Sequence, residues 1–90
     1  METSDNVAVA ATTTKILSAN SGRVYASIQN TSGIMLWLGL GVAAVVGKGL
    51  RVSPGQTYEF TPETNGFVGQ VNGILASGGP ESLPIQEAVN

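Results

Sequence analysis

Apolar and polar positions along this chain alternate with a period of two, in short runs separated by glycine, proline and asparagine. The clearest run covers residues 23–30, where Val24, Ala26 and Ile28 alternate with Tyr25, Ser27 and Gln29. That alternation is the signature of a half-buried strand. Residues 34–40 follow a turn at Asn30-Thr31-Ser32-Gly33 and are apolar on both faces, with Ile34, Leu36, Leu38 and Leu40 on one and Met35 and Trp37 on the other. A strand of this kind is central or covered by a neighbour. Further strands are predicted over residues 15–18, at Leu50 and Val52, over 56–60 and over 67–77. Ser53-Pro54-Gly55 forms a turn with Pro54 at its second position. A last strand over 83–89 contains Pro84, which confines it to a sheet edge or to its first residue. No helical stripe persists beyond two turns. The expectation is an all-β fold, a compact β-sandwich of jelly-roll type with six to seven short strands.

Residues 1–13, rich in Ala, Thr and Ser, read as a flexible or partner-ordered N-terminal arm, and 14–90 as the sandwich domain. The uncharged run over 33–47 is shorter than a membrane-spanning helix requires and is interrupted by Gly33, Gly39, Gly41 and Gly47. It reads as two buried strands joined by a glycine-rich bend. With acidic residues near Met1 in place of a basic cluster, the chain reads as soluble and unexported. Leu36, Leu38, Val24, Ile28 and Phe60 are the core candidates. Tyr25, Met35 and Trp37 fall on the opposite strand face and are the candidate interface residues. The inverted assignment stays open, because both faces of residues 34–40 are apolar.

Composition narrows the chemistry. A chain of 90 residues buries a modest fraction of its surface and gains from disulfides, metals or association. Cysteine and histidine are absent, which removes disulfides, thiolate metal sites and the commonest general base. Charged residues make up 11% of the chain, against roughly 25% in an average domain. Partner subunits covering part of the surface are expected to account for that deficit, a monomer coated with Ser, Thr, Asn and Gln being the alternative. Lys15, Arg23, Lys48 and Arg51 are scattered and the net charge is −2, which disfavours nucleic acid. Gly39-Leu40-Gly41-Val42-Ala43-Ala44 matches a loose dinucleotide pattern, but β-forming valines stand where a helix must begin. Gly47-Lys48 lacks the P-loop spacing and the hydroxyl that follows it. Glu59 with Glu63, and Lys15 with Ser18, lack supporting groups. No catalytic residue, metal site or cofactor is expected, and the chain reads as a non-enzyme.

The stretch Arg23-Val24-Tyr25-Ala26-Ser27-Ile28-Gln29-Asn30-Thr31-Ser32 resembles the R-x-Y-x-x-I-Q-N-x-S segment of small virion proteins of tailed bacteriophages. In those proteins a second apolar strand and a glycine-rich segment follow. Then comes a piece similar to Gly49-Leu50-Arg51-Val52-Ser53-Pro54-Gly55-Gln56-Thr57-Tyr58-Glu59, and a late Gly-x-Val element comparable to Gly69-Gln70-Val71. The resemblance spans about residues 15–76 and carries no catalytic residue. It implies a head-decoration or cement protein on the outer surface of the capsid, made in the host cytoplasm. Its implied partners are major capsid protein subunits and further copies of itself, as a homotrimer, with no nucleic acid and no membrane. A tail, neck or head-fibre protein, or a host-glycan-binding module, are the alternatives.

Overall fold

The computed structural model describes residues 2–61 and 66–89, and among these the period-two runs form eight strands. In chain order they are β1 (Glu2–Val9), β2 (Thr14–Leu17), β3 (Arg23–Gln29) and β4 (Leu36–Leu40), then β5 (Leu50–Val52), β6 (Thr57–Phe60), β7 (Val71–Leu75) and β8 (Glu81–Val89). They make two four-stranded sheets, ordered β1-β8-β3-β6 and β2-β7-β4-β5. Every pairing is antiparallel. Strand one pairs with eight, two with seven, three with six and four with five. The chain is thus one long antiparallel ribbon rolled into two layers, with β4 and β5 as the only consecutive strands that share a sheet.

The core lies between the layers. Ile28, Leu36, Leu38, Phe60, Val71, Leu75 and Leu83 are almost fully enclosed, joined by Val9 and Val52. Of the core expected from alternation, Leu36, Leu38, Ile28 and Phe60 are there and Val24 is not. A bulge leaves Val24 unpaired, because Arg23 faces Val89 while Tyr25 faces the adjacent Ala88. The extra residue turns Val24 outward, 43% exposed, and turns Arg23 inward.

Three further expectations are corrected. Residues 2–9 lie not in a free arm but in an edge strand paired with β8 along its length, which brings the count to eight rather than six to seven. Val7 and Val9 on alternate positions anchor it, with Val9 fully buried. Strand β8 occupies an interior place between β1 and β3 despite Pro84. The β3–β8 ladder stops at Ile28 and Ile85, one residue short of Pro84, so the missing N–H falls where β3 no longer pairs. Finally, the run over 33–47 supplies one strand, not two, and residues 41–49 are an exposed loop. Gly49 in that loop has φ +86, and a Cβ there would strike the Leu38 carbonyl, so only glycine fits the return into β5.

Candidate interaction surface

Buried polar side chains close both ends of the sandwich. At the start of β3, the Arg23 guanidinium sits between the layers with its side chain 1% exposed. It donates to the Glu87 carboxylate at 2.7 Å and to the carbonyls of Ser18, Phe67 and Gly69 at 2.6, 3.0 and 3.2 Å. Just past the end of β3, Asn30 donates from Nδ2 to the carbonyls of Ile34 and Val52, each at 2.8 Å. Its Oδ1 accepts from the Ser32 hydroxyl and amide. Asn30 thereby ties the β3–β4 loop to the end of β5, and its backbone also bonds Gly55 and Gln56 in the next turn. The Arg, Asn and Ser of the virion-protein resemblance are therefore framework groups. Among the described residues every buried side-chain nitrogen and oxygen has a hydrogen-bond partner.

The outer faces of the two sheets differ. On the β2-β7-β4-β5 sheet the outward positions include Trp37, flanked across the strands by Ile74 and Arg51, with Met35 one step along the same face. Met35, Trp37 and Ile74 are each half-buried rather than enclosed. The loop over 41–49 folds back over the other half of this face. The Asn72 amide, outward on β7, donates to the Val42 carbonyl at 2.6 Å. A Cβ on the neighbouring Gly39 would meet the Val42 and Ala43 carbonyls at 2.7 and 2.9 Å. Ala44 is buried beneath the loop, its amide bonded to the Thr13 hydroxyl, while Val42, Val45 and Val46 are 63%, 48% and 45% exposed. The loop valines lie in the same connection that covers Gly39, and together with Trp37 they make this the apolar side of the domain.

The outer face of β1-β8-β3-β6 carries Tyr25, Ser27 and Gln29 from β3, Thr57 and Glu59 from β6, and Gln86 from β8. The expected interface set is therefore divided. Met35 and Trp37 lie on one sheet, and Tyr25 on the other. The Tyr25 hydroxyl donates to Glu59 at 2.8 Å across the sheet. That bond raises the Tyr25 hydroxyl above its ordinary pKa of 10.0; a hydrogen bond with Ser27 pulls the other way, and slight burial and the Glu59 charge add to the rise. A folded pKa above the unfolded one means this contribution is complete below pH 10 and is lost as pH rises through the folded value. The melting-temperature difference between the native chain and Tyr25→Phe is expected to be small, constant from about pH 7 to 9, and to shrink above pH 10. A difference unchanged at pH 11 would refute the coupling.

The other chemical candidates do not assemble into a site. No helix among the described residues follows Gly39 or Gly41, which end β4 and open the loop, so no helix terminus meets a phosphate there. Lys15 and Ser18 are both exposed. Glu63, the partner considered for Glu59, lies outside the described residues. No group of three or more acidic, His or Cys side chains stands together among the described residues, and no helix is long and apolar enough to cross a membrane. Comparison with family models, curated proteins and solved structures gave no match.

Proposed function

We propose that this chain is a virion structural protein of the capsid-decoration or cement type, binding major capsid protein subunits non-covalently on the outer surface of the shell. We read the pairing of strand one with eight, two with seven, three with six and four with five as a jelly roll, an architecture used by viral shell domains. The observation that carries the reading is the apolar outer side formed by Met35, Trp37, Ile74 and the valines of residues 41–49. On a chain with 11% charged residues, and with no enclosed unpaired polar side chain among the described residues, such a surface suits contact with other subunits better than solvent or substrate.

Quantitative mass spectrometry of purified particles tests the location. A copy number close to that of the major shell subunit supports decoration. A trace ratio reassigns the chain to the tail, neck or a head fibre, and absence overturns the virion reading. Replacing the half-buried Trp37 by Ser removes an aromatic anchor, an effect of about 2 kcal/mol or roughly 30-fold in affinity. Occupancy on particles in a rebinding titration is expected to fall accordingly, while the far-ultraviolet circular dichroism of the free chain is unchanged.

A further inference from the structure

The apolar outer face of β2-β7-β4-β5 carries a rim of one charge sign. Arg51, on the edge strand β5, stands directly opposite Trp37, and Trp37 stands directly opposite Ile74 on β7. Two residues along the same face, Lys15 on the other edge strand stands opposite Asn72. Neighbouring strands lie about 4.8 Å apart, so the two edges are about 14 Å from each other, with the apolar centre between them. Lys48 belongs to the 41–49 loop that crosses this face, close in sequence to the exposed Val45 and Val46. Lys15, Lys48 and Arg51 are all exposed, whereas the fourth cation of the chain, Arg23, is enclosed with Glu87. The strands β2, β4, β5 and β7 and the loop over 41–49 contain no acid.

We propose that this face docks on an acidic surface of another protein, an apolar patch flanked by carboxylates that meet Lys15 and Arg51. The inference deepens the proposed function and rests on it, the acidic patch belonging to the shell subunits. A protein interface joins an apolar centre to a polar rim, and the sign of the rim selects the partner. The chain as a whole stands at −2, so attraction comes from this local arrangement and not from net charge. A second copy of the chain is a poor match. Set face to face, two copies bring Lys15, Lys48 and Arg51 against the same three charges. The outer face of β1-β8-β3-β6 offers Glu59 as its one acid among the described side chains, and Glu59 already accepts from the Tyr25 hydroxyl. Nucleic acid fits less well, because three cations around an apolar centre do not form the continuous basic stripe that a phosphate backbone requires. Nor does the loop protrude towards a bilayer, since Asn72 and Thr13 hold its backbone down across the sheet.

Rebinding to purified particles that lack the chain tests it, with occupancy titrated for the native chain and two variants. One variant reverses charge, Lys15→Glu with Arg51→Glu; the other conserves it, Lys15→Arg with Arg51→Lys. Both positions are exposed, and circular dichroism checks that each variant folds. The affinity of the native chain is expected to fall at least roughly tenfold between about 50 and 500 mM salt. At the lower salt, charge reversal is expected to weaken binding at least roughly tenfold, while the charge-conserving variant binds like the native chain. If the reversed variant does not fold, the salt dependence of the native chain decides alone. Native rebinding that ignores both salt and charge reversal, yet is lost in Trp37→Ser, overturns the acidic docking patch and leaves the virion reading standing. Failure of the native chain to rebind at any salt overturns both, and its sedimentation with phosphatidylglycerol vesicles instead would assign the three cations to lipid headgroups.

Discussion

Arg23→Met is expected to lower stability by about 3–5 kcal/mol, because it leaves the Glu87 carboxylate without its charge partner inside the end of the sandwich. For a domain of this size each kcal/mol corresponds to roughly 4–8 °C in melting temperature, so a fall of about 12 °C or more is expected in a near-ultraviolet circular dichroism melt. The reason lies in the geometry rather than in the charge alone. The guanidinium fork serves one carboxylate and three carbonyls at once, contributed by the β2–β3 connection, the approach to β7 and β8. A lysine cannot match that arrangement, so Arg23→Lys is expected to recover only a minor part. Adding Glu87→Leu to Arg23→Met removes the uncompensated charge but leaves the carbonyls of Ser18, Phe67 and Gly69 without their donor, so the double variant is expected to fall between the single one and the native chain. Full recovery in the double variant would show that the ion pair alone, and not the carbonyl cage, holds this end closed.

The roles of Arg23 show where a linear reading reaches its limit. Alternation is a property of one strand, and it correctly separates Ile28, Leu36, Leu38 and Phe60 from their neighbours. The Ser53-Pro54-Gly55-Gln56 turn is equally local. The Gln56 amide bonds the Ser53 carbonyl at 3.0 Å and Gly55 has φ +84, as Pro at the second position and Gly at the third require. A bulge, by contrast, is created by the partner strand, and nothing within residues 23–30 announces that Val24 and Arg23 exchange sides. The strand over residues 2–9 was hidden for a related reason. It offers Val7 and Val9 as its only large apolar groups, and its stability comes from β8, which lies more than seventy residues away. Pro84 misleads in the same sense, since the penalty for proline applies only where a ladder continues on the N–H side.

The candidate surface was legible in part. Met35 and Trp37 are outward, as their phase relative to Leu36 and Leu38 requires, whereas the membership of Tyr25 in the other sheet depends on topology. The valines of residues 41–49 look like core by composition, yet Asn72 holds their loop across the sheet with its side chains exposed. Lys15, Lys48 and Arg51 look scattered because they lie on a strand, a loop and another strand; the two-layer fold gathers them on the side that has no acids.

The second large effect is expected at the opposite end of β3. Asn30→Asp changes one atom, replacing the amide nitrogen that donates to Ile34 and Val52 by an oxygen that must accept. A protonated aspartic acid can serve one of those carbonyls through its single O–H, and an ionised one faces both with like-signed oxygens. Leaving two buried carbonyls unpaired costs about 1–3 kcal/mol each, so a loss of about 3–5 kcal/mol is expected at neutral pH. The protonated form is the better tolerated, so the carboxyl introduced there would have a folded pKa above its unfolded value near 3.9. The folded state then binds the proton more tightly, and stability falls as pH rises from about 4 through the folded pKa. Asn30→Ala orphans the same two carbonyls and introduces no charge. The melting temperature of Asn30→Asp relative to Asn30→Ala is therefore expected to decline between pH 4 and pH 7. A constant difference across that window would mean that water or a local shift relieves the carboxylate, and that Asn30 closes this end by shape rather than by its two donated hydrogen bonds.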